Sequence, residues 1–137
     1  GGIAMTYSYE DYLKSDLALT IEDAMSIHEE MNEEIGNDTD AIELYEELIQ
    51  KAIEYSLVRA KWTTMSTEEK ADADQGRTFK HNSLIVKFNQ LAKYLKMQGK
   101  AALWRDRLGY EEDDKLNRKR IGDMGCYLAF IHAINAR

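Results

Sequence analysis

Proline is absent from all 137 residues, where average usage would place roughly seven. Strand-rich folds full of tight turns draw on proline, so its absence favours helices joined by glycine and Asx turns. Cysteine occurs once, at Cys126. No intrachain disulfide can form, as expected of a chain kept in a reducing cytosol. A lone cysteine inside an apolar run is ordinarily a small buried hydrophobe. The longest apolar run, residues 126–131, is far too short to cross a bilayer. No charged-then-apolar leader opens the chain, so the sequence predicts a cytoplasmic protein with no membrane partner. Gly1 to Ala4 read as a leftover ahead of a native Met5 and are set aside. HExxH, CxxC, P-loop, GxSxG and dinucleotide-binding patterns are all missing, so the common catalytic routes have no support in the sequence.

What is present is a globular composition, 44% hydrophobic and 31% charged, long enough to bury a real core as one domain over residues 5–137. The net charge is −7 and unevenly spread. Residues 1–75 hold 19 acidic against 5 basic side chains, a balance of −14, and residues 76–137 hold 6 against 13, a balance of +7. Two accounts fit this polarity. Either the acidic half packs beside the basic half, or the basic half meets an acidic partner.

Helical spacing dominates the chain. Asp38 and Thr39 stand where a cap belongs, and Ile42, Tyr45, Leu48, Ile49, Ala52, Ile53, Leu57 and Ala60 then follow at three- and four-residue intervals. This predicts a helix to Trp62, roughly 35 Å long. The helix before it runs over residues 21–35, capped by Thr20 and ended by Gly36, with Ile21, Met25, His28, Met31 and Ile35 as its apolar face. So short a connection makes the pair an antiparallel hairpin over residues 21–62. Ahead of it, residues 7–19 read as a short first helix. After it, Ser66 and Glu69 form a capping box that opens a polar helical turn fading by Gly76, within a surface excursion over residues 63–76. Residues 77–98, 101–108 and 115–136 complete the set. Gly122, Gly125, Ala129 and Ala133 line one side of the last helix, where small residues admit a close neighbour, either the long helix or a second copy of the chain. The fold class predicted is all-α, a single bundle of five to six helices with the long and last helices at its centre.

Three constellations bear on function. Glu30 and Glu33 before the turn mirror Glu43 and Glu46 after it, and four carboxylates at matched heights would suit a hard divalent cation. This pair of motifs resembles the metal-binding hairpin of the all-helical nucleoside triphosphate pyrophosphohydrolases, in which an ExxE and an ExxD hold Mg²⁺ at the pyrophosphate. The resemblance covers about 17 residues and implies Mg²⁺ or Mn²⁺ at Glu30, Glu33, Glu43 and Glu46, with Glu46 standing where the family has Asp. Second, Lys93, Lys96, Lys100, Arg105 and Arg107 flank a helix, glycine, helix pattern that resembles a helix-turn-helix, and they would bind nucleic acid through phosphates. Third, His28, His81 and His132 sit one per helix, either as core histidines or gathered round a transition metal. With no catalytic pattern present, the first expectation is a non-catalytic interaction or assembly module without cofactor, working through a protein partner or as a homodimer on its last helix. The metal-dependent hydrolase and the nucleic-acid binder are the alternatives.

Overall fold

The computed structural model describes residues 18–109 and 115–135. Among the described residues there are five helices and no strand: α1 (Ile21–Ile35), α2 (Thr39–Trp62), α3 (Thr67–Met97), α4 (Leu103–Arg107) and α5 (Lys115–Asn135). The first helix expected over residues 7–19 falls outside the described residues, except for Ala18 and Leu19, which form a bend ahead of α1.

The helix starts follow from local chemistry. Thr20 Oγ1 accepts the backbone N–H of Asp23 at 3.1 Å, satisfying an amide that the first turn leaves unpaired. Gly36 ends α1 at φ 50°, donating its N–H to the carbonyl of Asn32. Asp38 caps α2 by accepting from Asp40 and Ala41. The Tyr94 hydroxyl also donates to Asp38, at 2.8 and 2.9 Å, tying the end of α3 to the start of α2. That bond holds the Asp38 carboxyl below its ordinary range and pushes the Tyr94 phenol up to about 12.

At α3 the sequence reading needs correction. Residues 63–66 connect α2 to α3, and no break at Gly76 follows: the Ser66–Glu69 capping box opens one continuous helix from Thr67 to Met97. Gly76 lies inside it, and the good helix formers Ala71, Ala73 and Gln75 before it offset a cost of about 1 kcal/mol relative to alanine. A Cβ added at Gly76 would meet nothing within 4 Å. Gly76→Ala is therefore expected to raise stability by about 0.5–1 kcal/mol, read as a higher urea midpoint with an unchanged slope.

α2 is the central element, with α3 and α5 as its main partners. The hairpin of α1 and α2 is open. The close backbone approaches of α1 are to α4 and α5, and α1 reaches α2 through long side chains such as His28. Two helix faces are rotated from the expectation. On α1, Ala24 and Ile27 are buried while Met25 is 48% exposed; on α2, Tyr55 is buried while Leu57 is 66% exposed. On α5, Cys126, Leu128 and Ala129 are buried, whereas Tyr127, Phe130 and Ile131 are half-buried rather than surrounded on every side. Gly122 and Gly125 of α5 face neighbours within the chain. A Cβ at Gly122 would lie 2.9 Å from the Tyr55 hydroxyl, and one at Gly125 would lie 2.5 Å from Leu84 Cδ2.

A carboxylate fastens α4 to α1. Glu34 Oε2 accepts the backbone N–H of Ala102 at 2.9 Å, and its Oε1 accepts the indole N–H of Trp104 at 2.8 Å. Ala102 stands at φ 49°, and no other non-glycine residue described has a positive φ. The acidic and basic halves meet in ion pairs: Lys87 with Glu47 at 2.7 Å, Lys80 with Glu54 at 3.5 Å and Arg107 with Asp23 at 3.7 Å.

Candidate functional site

The four glutamates of the mirrored motifs are not gathered. Glu30 is half-buried beside Arg107, 4.0 Å away. Glu33 and Glu46 are exposed, and Glu43 borders a shallow cleft with Asp40, Glu47 and Tyr94. The described residues contain no group of three or more His, Cys, Asp or Glu placed to hold a metal ion. The open hairpin accounts for this, since carboxylates level along two helices converge only if the helices lie side by side.

The five basic candidates are divided. Lys93 and Lys96 flank a groove on α3 with Asn89, Ala92 and Met97, and Lys100 is exposed. Arg105 is fully buried, donating from Nε to Asn89 Oδ1 at 2.7 Å and from Nη1 to the Gly109 carbonyl. Arg107 turns to α1, donating to Ser26 at 2.9 Å and pairing with Asp23 and Glu30.

Two of the three histidines do meet. The Tyr45 hydroxyl lies 3.0 Å from His28 Nε2 and 2.7 Å from His132 Nε2, and Asn32 Nδ2 approaches His28 Nε2 at 2.9 Å. One phenolic proton serves one imidazole at a time, so the three side chains share a chain of hydrogen bonds linking α1, α2 and α5. Burial lowers the pKa of both imidazoles, with the His132 charge adding to the effect on His28, and burial raises the Tyr45 phenol far above its ordinary value.

The third histidine belongs to a different site. Between the C-terminal half of α2, the middle of α3 and the first turns of α5 lies a pocket of about 410 Å³, lined by Tyr55, Arg59, Trp62, Arg77, Thr78, His81, Arg118 and Lys119. Four of the eight are permanent cations and none is a carboxylate. Aromatic rings hold two of the guanidinium groups. Arg77 lies over the Trp62 ring, 4.6 Å from its centroid, and Arg59 donates to the Tyr55 hydroxyl at 2.9 Å. Planar guanidinium on an aromatic face gains about 0.5–1 kcal/mol and keeps its fork oriented. Gly122 lies against this wall: a Cβ there would be 3.1 Å from Arg59 Nη1, tighter than ordinary contact.

His81 is 6% exposed. Its Nε2 lies 2.8 Å from the Arg118 carbonyl, which can only accept, so Nε2 carries a proton and Nδ1 presents a bare lone pair. Nδ1 is buried with no protein partner, and so is Arg77 Nε one turn earlier. The ring sits edge-on to Tyr55, centroids 5.3 Å apart. Burial lowers the His81 pKa, and the nearby charges of Arg118, Arg77 and Arg59 lower it further against the bond to the Arg118 carbonyl. Burial also raises the Tyr55 phenol.

The basic candidates legible in the sequence, Lys93 to Arg107, do not include Arg59, Arg77, Arg118 or Lys119. The signal for them lies in pairs: Arg59 with Trp62 at i,i+3 and Arg77 with His81 at i,i+4, each placing a cation beside a ring on one helix face. No family model matches this chain, and neither a curated protein nor a solved structure matches it.

Proposed function

We propose that this chain is a helical binding module that holds a small oxyanion in the pocket between α2, α3 and α5. One observation carries the reading: the described lining of the cleft holds Arg59, Arg77, Arg118 and Lys119 and no carboxylate, with the exposed Asp74 beside it pairing with Arg77 Nη2 at 3.1 Å, and Arg77 Nε and His81 Nδ1 are buried without a hydrogen-bond partner. Arg77 Nε is a donor, and a buried donor left without an acceptor costs about 1–3 kcal/mol; His81 Nδ1 becomes a donor only when the ring is protonated. A bound acceptor group removes that cost, and phosphate-type oxygens match the guanidinium fork. The volume lies within the range of small-ligand sites, about 300–1,000 Å³. The metal-dependent reading through Glu30, Glu33, Glu43 and Glu46 gains no gathered donor set among the described residues, and the nucleic-acid reading has Arg105 in the interior.

Isothermal titration with inorganic phosphate and with sulfate at low ionic strength tests this. Binding in the millimolar range or tighter is expected. Arg77→Gln is expected to weaken it roughly ten- to hundredfold, the loss of a charge-assisted hydrogen bond, while Lys93→Gln, on a groove elsewhere on α3, leaves it unchanged. No heat and no chemical-shift change with either anion at about 10 mM would sink the reading.

A further inference from the structure

The ligand class and its control follow from the geometry around His81, and the step rests on the oxyanion reading above. Guanidinium groups enter the pocket wall from three helices, Arg59 from α2, Arg77 from α3 and Arg118 from α5. Donors arriving from three directions suit a tetrahedral oxyanion with several acceptor oxygens. A planar carboxylate is satisfied by one fork. His81 adds a condition. With its Nε2–H committed to the Arg118 carbonyl, the neutral ring offers only the Nδ1 lone pair, and a lone pair beside an anionic oxygen is repulsive. An imidazolium would donate from both nitrogens, to the Arg118 carbonyl and to the anion.

We propose that the pocket takes a doubly charged tetrahedral oxyanion, a phosphomonoester or sulfate group, and that its capture draws one proton from solvent onto His81 Nδ1. The groups facing His81 are the Tyr55 hydroxyl and Arg59 on α2, Arg77 on its own helix, and Arg118 and Lys119 on α5, with Cys126 beyond Tyr55. The charges that act on the ring, Arg118, Arg77 and Arg59, are cationic and oppose its protonation, with Asp74 paired to Arg77 at 3.1 Å on the same helix. An anion seated among them reverses that balance. Affinity therefore rises as pH falls through the pKa of His81 in the complex, by at most tenfold per pH unit, and levels off below its pKa in the empty pocket.

Sulfate is the probe, because it stays doubly charged across the working range and any proton taken up goes to the protein. The wild-type chain is titrated between about pH 5.5 and pH 8 in buffers of differing ionisation heat, with His81 followed by NMR. Expected are tighter binding by roughly tenfold or more at the acid end, uptake approaching one proton per sulfate, and a His81 resonance that titrates at higher pH with sulfate bound. His81→Gln keeps an amide N–H at the position of Nε2 and cannot titrate; its sulfate affinity is expected to be flat with pH. Sulfate binding that weakens in Arg77→Gln yet shows no proton uptake and no pH dependence would overturn the coupling and leave the oxyanion reading standing. Proton uptake that persists in His81→Gln would place the titrating group elsewhere and overturn the assignment. No sulfate binding at any pH would end both.

Discussion

Glu34→Ala is expected to cost about 3–5 kcal/mol, a large part of the stability of a domain this size. Its carboxylate accepts two N–H groups at 2.8 and 2.9 Å, and both donors belong to fully buried residues, Trp104 and Ala102. Removing the acceptor strands both, and each stranded buried donor costs about 1–3 kcal/mol. Ala102 also needs the bond to remain in its left-handed conformation, which costs a non-glycine residue about 1–2 kcal/mol. Urea denaturation followed by far-UV dichroism measures the loss. Trp104→Phe removes one donor while keeping an aromatic ring, so Glu34→Ala should cost roughly 1–2 kcal/mol less in that background. A loss under about 1 kcal/mol in the wild-type background would mean that α4 does not depend on this carboxylate.

Acidification is expected to destabilise the fold between about pH 7 and pH 5, with a melting temperature several degrees lower at the acid end. Burial is the main cause at all three histidines, His28, His81 and His132, and it lowers each pKa. Each ring is neutral in the fold and binds a proton more readily in the unfolded chain, where histidine titrates near 6.5. Stability is therefore full above that value, and it falls as pH drops towards the folded pKa of each group. His81 has the steepest influence, at most about 1.4 kcal/mol per pH unit within its window, because it is the most enclosed. The half-exposed pair at Tyr45 contributes less. Thermal melts over this range in His81→Gln and in a His28→Gln, His132→Gln double variant measure the two contributions separately. A wild-type melting temperature that holds constant from pH 7 to pH 5 would contradict the neutral, buried assignment.

Much of this architecture was legible because it is local. Thr20, Asp38 and the Ser66–Glu69 box each satisfy amides two or three residues away, so the residues that start α1, α2 and α3 carry the instruction within one turn of chain. The start of α5 at Lys115 and its end at Asn135 likewise fall within a residue of the expectation. The misreading at Gly76 shows the limit of the same approach. Low apolar content and a glycine look like a loop, but a solvated helix with a good cap and favourable residues on both sides needs no apolar stripe to persist.

Other features could not be read from the chain, because they depend on which residues remote in sequence are brought together. Glu34 and Glu33 are adjacent and chemically alike; only the place where α4 docks makes the first a clamp and leaves the second exposed. Arg105 and Arg107 stand two apart on a five-residue helix, and the same docking buries one and turns the other to α1. His28 and His132 are joined through Tyr45, while His81 faces a cationic wall assembled from three helices. An all-helical chain, its caps and the opposite charges of its halves follow from the amino-acid order alone, since these depend on neighbours within a turn or on composition. Helix docking sets which charges are buried, which histidines meet and where a cationic pocket opens. Helix packing places side chains to within ångströms, whereas periodicity specifies only the face on which they start.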